Sequence, residues 1–341
     1  MTVYFVPWDA DKNLLLEAER LYEKAGTFNG IEKGDLVAVK LHVGELGNPS
    51  YVQPFFVHHI IQKIRAIGGK PFLTDSNTLY LAQRHNAYDH IQTALMNGFN
   101  MAPFIVADGL RSENSRTVKT RGILDEIQVS GAIAEADAMI VVSHCKGHDL
   151  SGFGGAIKNL AMGCTSRTGK LQQHCTISIE IDSNKCTGCG TCKTACPNNI
   201  PDIINKKAHI TSPLCMRCPI CTSECPTKAI HFVNQENLCK ALASAALGVI
   251  ETFQQNKISY INFAKDITQH CDCLPSPGAP IITDIGIFTA NSPVSIDAAF
   301  LKKINYQQQF NNLSNVDCMT QITEAINIGI PGKSNPEIQQ I

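Results

Sequence analysis

Eight of the 15 cysteines fall between Cys186 and Cys225, in two runs of one design. The stretches CTGCGTCKTACP (186–197) and CMRCPICTSECP (215–226) both read C-x2-C-x2-C-x3-C-P. Thiolates this closely spaced in a tight loop can each reach a different iron of one iron–sulfur cubane, and the fourth cysteine stands beyond the following turn. Pro197 and Pro226 redirect the chain after it, because proline fixes φ and cannot donate to a continuing ladder. Structural zinc is the competing chemistry. It usually pairs two short cysteine knuckles across a longer loop, so two consecutive runs of four ending in Cys-Pro favour iron and sulfide.

The paired runs resemble those of bacterial two-cluster ferredoxins, in which the fourth cysteine of each run serves the other cluster. That resemblance implies two [4Fe-4S] clusters. One would be held by Cys186, Cys189, Cys192 and Cys225, the other by Cys215, Cys218, Cys221 and Cys196. Residues 181–235 carry six basic side chains against three acidic ones. Two oxidised cubanes, each about −2 with its thiolates, would leave the loaded segment close to neutral.

Seven cysteines remain. Cys239 and Cys318, in helical contexts, read as small buried hydrophobes. Cys271 and Cys273 differ, because two thiols two residues apart in a Pro/Gly-rich loop resemble half of a metal site. Cys145, His144, His148 and His174 are potential complements, and an ordinary pair of loop thiols is the plain alternative.

A second group of candidates sits where strands should end. SHCKGHDLSGFGGAIKN (143–159) follows an apolar run and leads into a helix. Its glycines, Gly152, Gly154 and Gly155, could turn backbone N–H groups toward an anion, and a helix N-terminus would add partial positive charge. Lys146 and Lys158 could complete the cradle. The spacing matches neither a dinucleotide fingerprint nor a P-loop. Lys40 and His42 lie at the end of another apolar run, and Asp75 and Asp284 at comparable exits. Lys40, His42, His144, Lys146, His148 and Lys158 together would suit a carboxylate or phosphate ligand, with His42, His144 and His148 as candidates for proton transfer.

The elements that must position these residues alternate. Strand-like runs at Val3–Val6, Leu36–Val43, Pro71–Thr74, Pro103–Ala107, Ile127–Val129 and Ala138–Ser143 are interleaved with helical patterns over Asn13–Lys24, Val52–Ile67 and Arg84–Asn97. Such alternation predicts an α/β layer with a mostly parallel sheet flanked by helices. Thr165–Ser183 is polar and reads as a linker. After about His231 the first texture returns, with a helical stripe from Leu238 to Phe253, strands over Ile258–Phe263 and Ile281–Ile287, and a helix over Ser295–Ile304. The reading is an α/β domain in two parts, 1–180 and 236–341, with a small α+β ferredoxin-like domain inserted over 181–235.

Composition narrows the partners. Lys+Arg number 29 against 30 Asp+Glu in 341 residues, for a net charge of −1. The electrostatic excess that drives nucleic-acid affinity is missing. No apolar run reaches membrane-spanning length, and the N-terminus lacks the basic and apolar regions of a signal peptide. With this many unbridged thiols, the expectation is a cytoplasmic protein that works with redox protein partners and a small anionic ligand.

Several stretches in their order resemble the "domain of unknown function 362" family, in its version carrying a two-cluster ferredoxin. They are VKLHVGELGN (39–48), SHCKGHDLSGFGGAIKNLAMGC (143–164), the two cysteine runs, and CDCLPSPGAPIITDIGIFTANSPVSIDAAF (271–300). The resemblance implies an iron–sulfur protein of anaerobic redox metabolism and lends no substrate. Two functions follow as expectations. One is a ferredoxin-type electron relay; the other is a cluster-fed oxidoreductase acting on a carboxylate- or phosphate-bearing molecule in the His/Lys/Gly crevice.

Overall fold

Apolar runs in the α/β part pair into one eight-stranded sheet in a computed structural model describing residues 1–310 and 314–341. Its strands are β1 (Thr2–Pro7), β2 (Leu36–Lys40), β3 (Lys70–Asp75), β4 (Phe104–Val106), β5 (Ala138–His144), β6 (Ile258–Ala264), β7 (Gly286–Ala290) and β8 (Glu337–Gln340). Their spatial order is β8-β1-β7-β6-β5-β2-β3-β4. Every neighbouring pair is parallel except those made by β7 with β1 and β6.

Strand β5 shows why such a sheet is buried on both faces. Ala138, Ile140 and Val142 enter one core, Met139 and Val141 the other, and all seven residues of the strand are buried. Helices α1 (Leu14–Ala25), α2 (Pro54–Ile67) and α3 (Ala87–Met96) cover the first face. On the second lie α4 (Ala156–Gly163), α5 (Arg167–His174), α6 (Glu236–Ile250), α7 (Pro293–Lys303) and α8 (Met319–Asn327). Local signals set the helix ends. Asn13 caps α1 through Leu15 N–H at 3.1 Å, and Ser292 caps α7 through Ser295 N–H at 3.1 Å, ahead of Pro293 at the first turn.

Three expectations are corrected. Thr165–Ser183 is not a linker: it contains α5 and a strand at Ser178–Ile181. Its buried polar residues are held by hydrogen bonds, with Gln173 Nε2 donating to the Ala161 carbonyl at 3.1 Å and Thr165 Oγ1 to the same carbonyl at 2.7 Å. Ile127–Val129 forms a strand, but in a separate hairpin (Ser115–Lys119 with Glu126–Ser130) rather than in the main sheet. The run Ile281–Ile287 is broken. Pro280–Ile282 pairs with Ile267–Thr268, and β7 begins at Gly286, where φ is +148° and a Cβ would lie 2.0 Å from the Val6 carbonyl oxygen.

Between β5 and β6 the cysteine-rich segment stands on its own two-stranded root, Ser178–Ile181 against Ile230–Val233. A second ribbon joins Asp202–Ile204 to Lys207–His209, and short helices occupy Thr191–Ala195 and Ile220–Ser223. Leu150, Ile177 and Leu238, with Met162 and Phe232, pack the root against the α/β part. No helix among the described residues is long and apolar enough to cross a membrane.

Candidate functional site

The cysteines of the two runs are interleaved in space. Cys186, Cys189, Cys192 and Cys225 wall one small cavity, together with Ile203, Ala208 and Ile230. A second is walled by Cys196, Cys215, Cys218 and Cys221, with Ile200, Ile210, Met216 and Ile220. Each cavity therefore takes three cysteines from one run and the fourth from the other. Backbone N–H groups point at sulfur in both: Ala208 donates to Cys186 Sγ at 3.3 Å, and Ile200 to Cys196 Sγ at 3.4 Å. Gly188 is required by the fold of the first loop, since its φ is +70° and a Cβ would lie 2.4 Å from the Lys206 carbonyl oxygen. Cysteine-walled cavities with backbone N–H donors at sulfur fit a multi-iron cluster.

The carboxyl ends of β2, β3 and β5 open into a crevice of about 660 Å³, large enough for a small organic ligand. Lys40, Arg84, Lys146, Lys158 and Lys170 line it against Asp75 and Asp149, along with His42, His144, His148, His174 and His270. Its far wall is the cysteine-rich segment itself, through Met216, Cys218, Pro219, Ile220 and residues 230–232.

Not all candidates are free to meet a ligand. Lys40 is 1% exposed and committed inward, with Asp75 Oδ1 at 3.0 Å, Asn159 Oδ1 at 2.6 Å and its neighbour's carbonyl at 3.0 Å. Lys146 is held by Asp272 Oδ2 and the His144 carbonyl, both at 2.9 Å. His144 has both ring nitrogens engaged, Nδ1 with Asp272 at 2.8 Å and Nε2 with the Lys265 carbonyl at 2.7 Å. Among the described residues, Lys158 Nζ makes one hydrogen bond at the crevice, to Cys271 Sγ at 3.5 Å. His42 Nδ1 accepts the Gly44 N–H at 3.0 Å, and His148 Nδ1 accepts from Leu150 and Ser151, so each neutral ring carries its proton on Nε2. Burial holds both rings well below the ordinary histidine range.

The helix N-terminus offered by Gly154 and Gly155 to an anion is already occupied. Asp297 accepts the Ala156 and Ile157 N–H groups at 2.7 and 2.9 Å, and a Cβ on Gly155 would strike it at 2.3 Å. Burial raises that carboxyl to about 6. The anion at this helix end is the protein's own, supplied from 140 residues downstream, which the local pattern could not reveal.

Sequence reasoning also missed Arg84 and Lys170. Arg84 joins Glu45 at 3.2 Å and Asp75 at 3.4 Å in the wall. Lys170 Nζ donates to Ser76 Oγ at 2.6 Å and to the Thr165 carbonyl at 2.7 Å, and burial lowers it to about 8. A lysine poised there can exchange a proton near neutral pH. Its one sequence signal was a charge within a segment read as linker. Asp284 lies outside the crevice lining and accepts the Asp266 N–H at 2.8 Å.

Buried neutral histidines predict acid sensitivity. His90 is fully buried and pushed down to about 3 by desolvation, while an unfolded chain's histidine titrates near ~6.5. Below ~6.5 the unfolded state binds the extra proton, so this contribution is complete above that pH and is lost as pH falls toward 3. His90 alone should cost about 2 kcal/mol of stability by about pH 5. The histidine contribution to the urea midpoint should be level from about pH 8 to 7 and fall below about 6.5, with Asp297, raised to about 6, offsetting part of the fall. Trp8, the single tryptophan, packs on Phe56 at 5.9 Å and reports on the α/β part. A midpoint unchanged down to pH 5 would contradict the assignment.

The family "Domain of unknown function (DUF362)" matches residues 37–302. Among solved structures, the lactate racemase apoprotein from Thermoanaerobacterium thermosaccharolyticum is similar at 14% identity and a TM-score of 0.44, over 91% of this chain and 57% of that one. A protein from Thermotoga maritima aligns at 11% identity and a TM-score of 0.40, over 92% and 58%. The chain thus spans under three-fifths of the length of either. Curated proteins give no match.

Proposed function

We propose, on the premise that this chain belongs to the DUF362 family of domains of unknown function, that it is an iron–sulfur oxidoreductase whose clusters feed the α/β crevice. Two [4Fe-4S] clusters, held by Cys186, Cys189, Cys192 and Cys225 and by Cys196, Cys215, Cys218 and Cys221, would supply one-electron chemistry. The observation that carries the reading is Cys218, which lines both the second cysteine cavity and the crevice. An electron relay alone has no need of a cationic pocket beside one of its cluster sites.

The chain's own residues divide the work. Cys189 is exposed, so the first site is the natural entry for electrons from a redox protein partner. In the crevice, Lys158 offers an ammonium to a carboxylate or phosphate, while His42 and His148 offer Nε2–H donors. Lys170, lowered to about 8, can exchange a proton with the bound molecule. Met162, Leu238 and Leu242 exclude water along one side.

Anaerobically purified protein should contain roughly eight irons and eight sulfides, and give reduced-state EPR signals. Inorganic phosphate or acetate should perturb the signal of the site nearer the crevice, and Lys158→Met should weaken that response at least tenfold, about 1.4 kcal/mol. Protein without iron and sulfide would remove the reading. A normal cluster content with no response to either anion would leave a relay and reject the oxidoreductase.

A further inference from the structure

Cys271 and Cys273 line the crevice and have no part in the reading above. They are the first and third residues of a turn closed by the Leu274 N–H to the Cys271 carbonyl at 3.0 Å. Tertiary contacts pin that turn. Asp272, wholly buried, sets its carboxylate between His144 Nδ1 at 2.8 Å and Lys146 Nζ at 2.9 Å, and its carbonyl accepts the Glu45 N–H at 3.0 Å. Tyr80 Oη donates to the Cys273 carbonyl at 3.2 Å, and Asn48 Nδ2 to the Leu274 carbonyl at 2.8 Å.

While Asp272 anchors the turn in the wall, the flanking cysteines both line the crevice. The first and third Cα atoms of a closed four-residue turn lie within the roughly 4.4–6.8 Å that a disulfide spans. Lys158 Nζ stands 3.5 Å from Cys271 Sγ. The neighbouring Cys273 thiol, with Lys158 and Lys146, holds the Cys271 thiol well below the usual range, and Cys273 is raised in turn. Such asymmetry gives one stabilised thiolate and one proton-bearing partner.

We propose that Cys271 and Cys273 form a dithiol–disulfide couple that takes up and returns two electrons inside the crevice. For the source of those electrons this rests on the cluster reading above. Opening the couple breaks one S–S bond and consumes two electrons and one proton, leaving a thiolate on Cys271 beside Lys158 and a thiol on Cys273. Two [4Fe-4S] clusters held by the cysteine runs would supply these electrons, one each when reduced, and would take them back when the bond closes. A bridge across so short a loop gains little by restraining the unfolded chain, so it is a working couple rather than a staple.

The test uses full-length, cluster-loaded protein, oxidised anaerobically by a mild dye and titrated with dithionite. Wild type should take up about four electrons per chain and Cys273→Ser about two, since only the clusters remain. Independently of any variant, the peptide containing both cysteines should resist iodoacetamide in denaturant before reduction and carry two labels after it. Equal labelling before and after reduction overturns the couple. Closure seen by labelling, with equal electron uptake by the two proteins, overturns its link to the clusters. Iron and sulfide counting on the same samples isolates a failure of the cluster reading, and labelling with a dithiol reductant then still decides the couple.

Discussion

Replacing Cys189 by alanine is expected to remove about half of the iron and sulfide, from roughly eight of each to four, and to leave the cysteine-rich segment open to proteolysis. The reason lies in what that segment has for a core. Its buried apolar cluster consists of Cys186, Cys192, Cys221, Cys225, Ala208, Ala229 and Ile230, so four of its seven members are the proposed ligands themselves. An apolar core that small cannot offset the ordering of some fifty residues, and ligation must supply the rest. The first cavity loses one of its four thiolates in the variant, while the second keeps all of its own. Trp8 fluorescence and the unfolding midpoint of the α/β part should stay near wild type, because that domain rests on two separate cores. Cys239→Ala is the matching control: Cys239 is buried in α6 with its thiol 3.8 Å from the Ser151 carbonyl, and iron content should not change. Iron unchanged in Cys189→Ala, or lost equally in Cys239→Ala, would dismantle the assignment of the two cysteine sets.

The parts of this architecture legible in the sequence were those where burial writes a pattern. Ala138–His144 has both faces covered, which leaves a continuous apolar run. The grouping of the cysteines was legible in their repeated spacing, three of one run standing with the fourth of the other. What escaped was structure held by polar groups. Helix α5 looked like linker because Gln173, Lys170 and Thr165 are buried through hydrogen bonds, which leave no hydrophobic trace. Strand β8 (EIQQ) lies at the sheet edge, largely exposed, and pairs with β1 with Ile338 alone of its four residues packed on the core. The anion cradle at α4 failed as an expectation for a related reason: its filler, Asp297, comes from α7, and proximity across the fold is invisible to a local motif. The crevice residues were located by strand exits, but only tertiary contacts separate the committed lysines, Lys40 and Lys146, from Lys158.

Asp75→Asn should be the most destabilising single change in the crevice wall, costing about 3–5 kcal/mol, and should at the same time tighten anion binding. Asp75 is 3% exposed at the carboxyl end of β3. It receives Lys40 Nζ at 3.0 Å and Arg84 at 3.4 Å, while the neutral His90 ring stands beside it with Nε2 3.7 Å away, too far to hydrogen-bond. Burial works against its charge, and Lys40 leads the neighbouring groups that nevertheless hold the carboxyl well below its ordinary range. Removing that charge leaves Lys40, itself 1% exposed, with only the Asn159 amide oxygen and a backbone carbonyl. Arg84 keeps Glu45 at 3.2 Å, which bounds the loss. An exposed pair shows the contrast: Lys193 and Asp202 also lie 2.9 Å apart, yet Asp202→Asn should cost under about 1 kcal/mol in solvent. The crevice meanwhile gains positive potential, so inorganic phosphate should bind several-fold more tightly at low salt, with the gain fading as ionic strength rises. Stability and affinity moving in opposite directions is what a charge network shared between scaffold and site must do. Should both fall together, the crevice would be a structural cavity and its cations merely partners for its carboxylates.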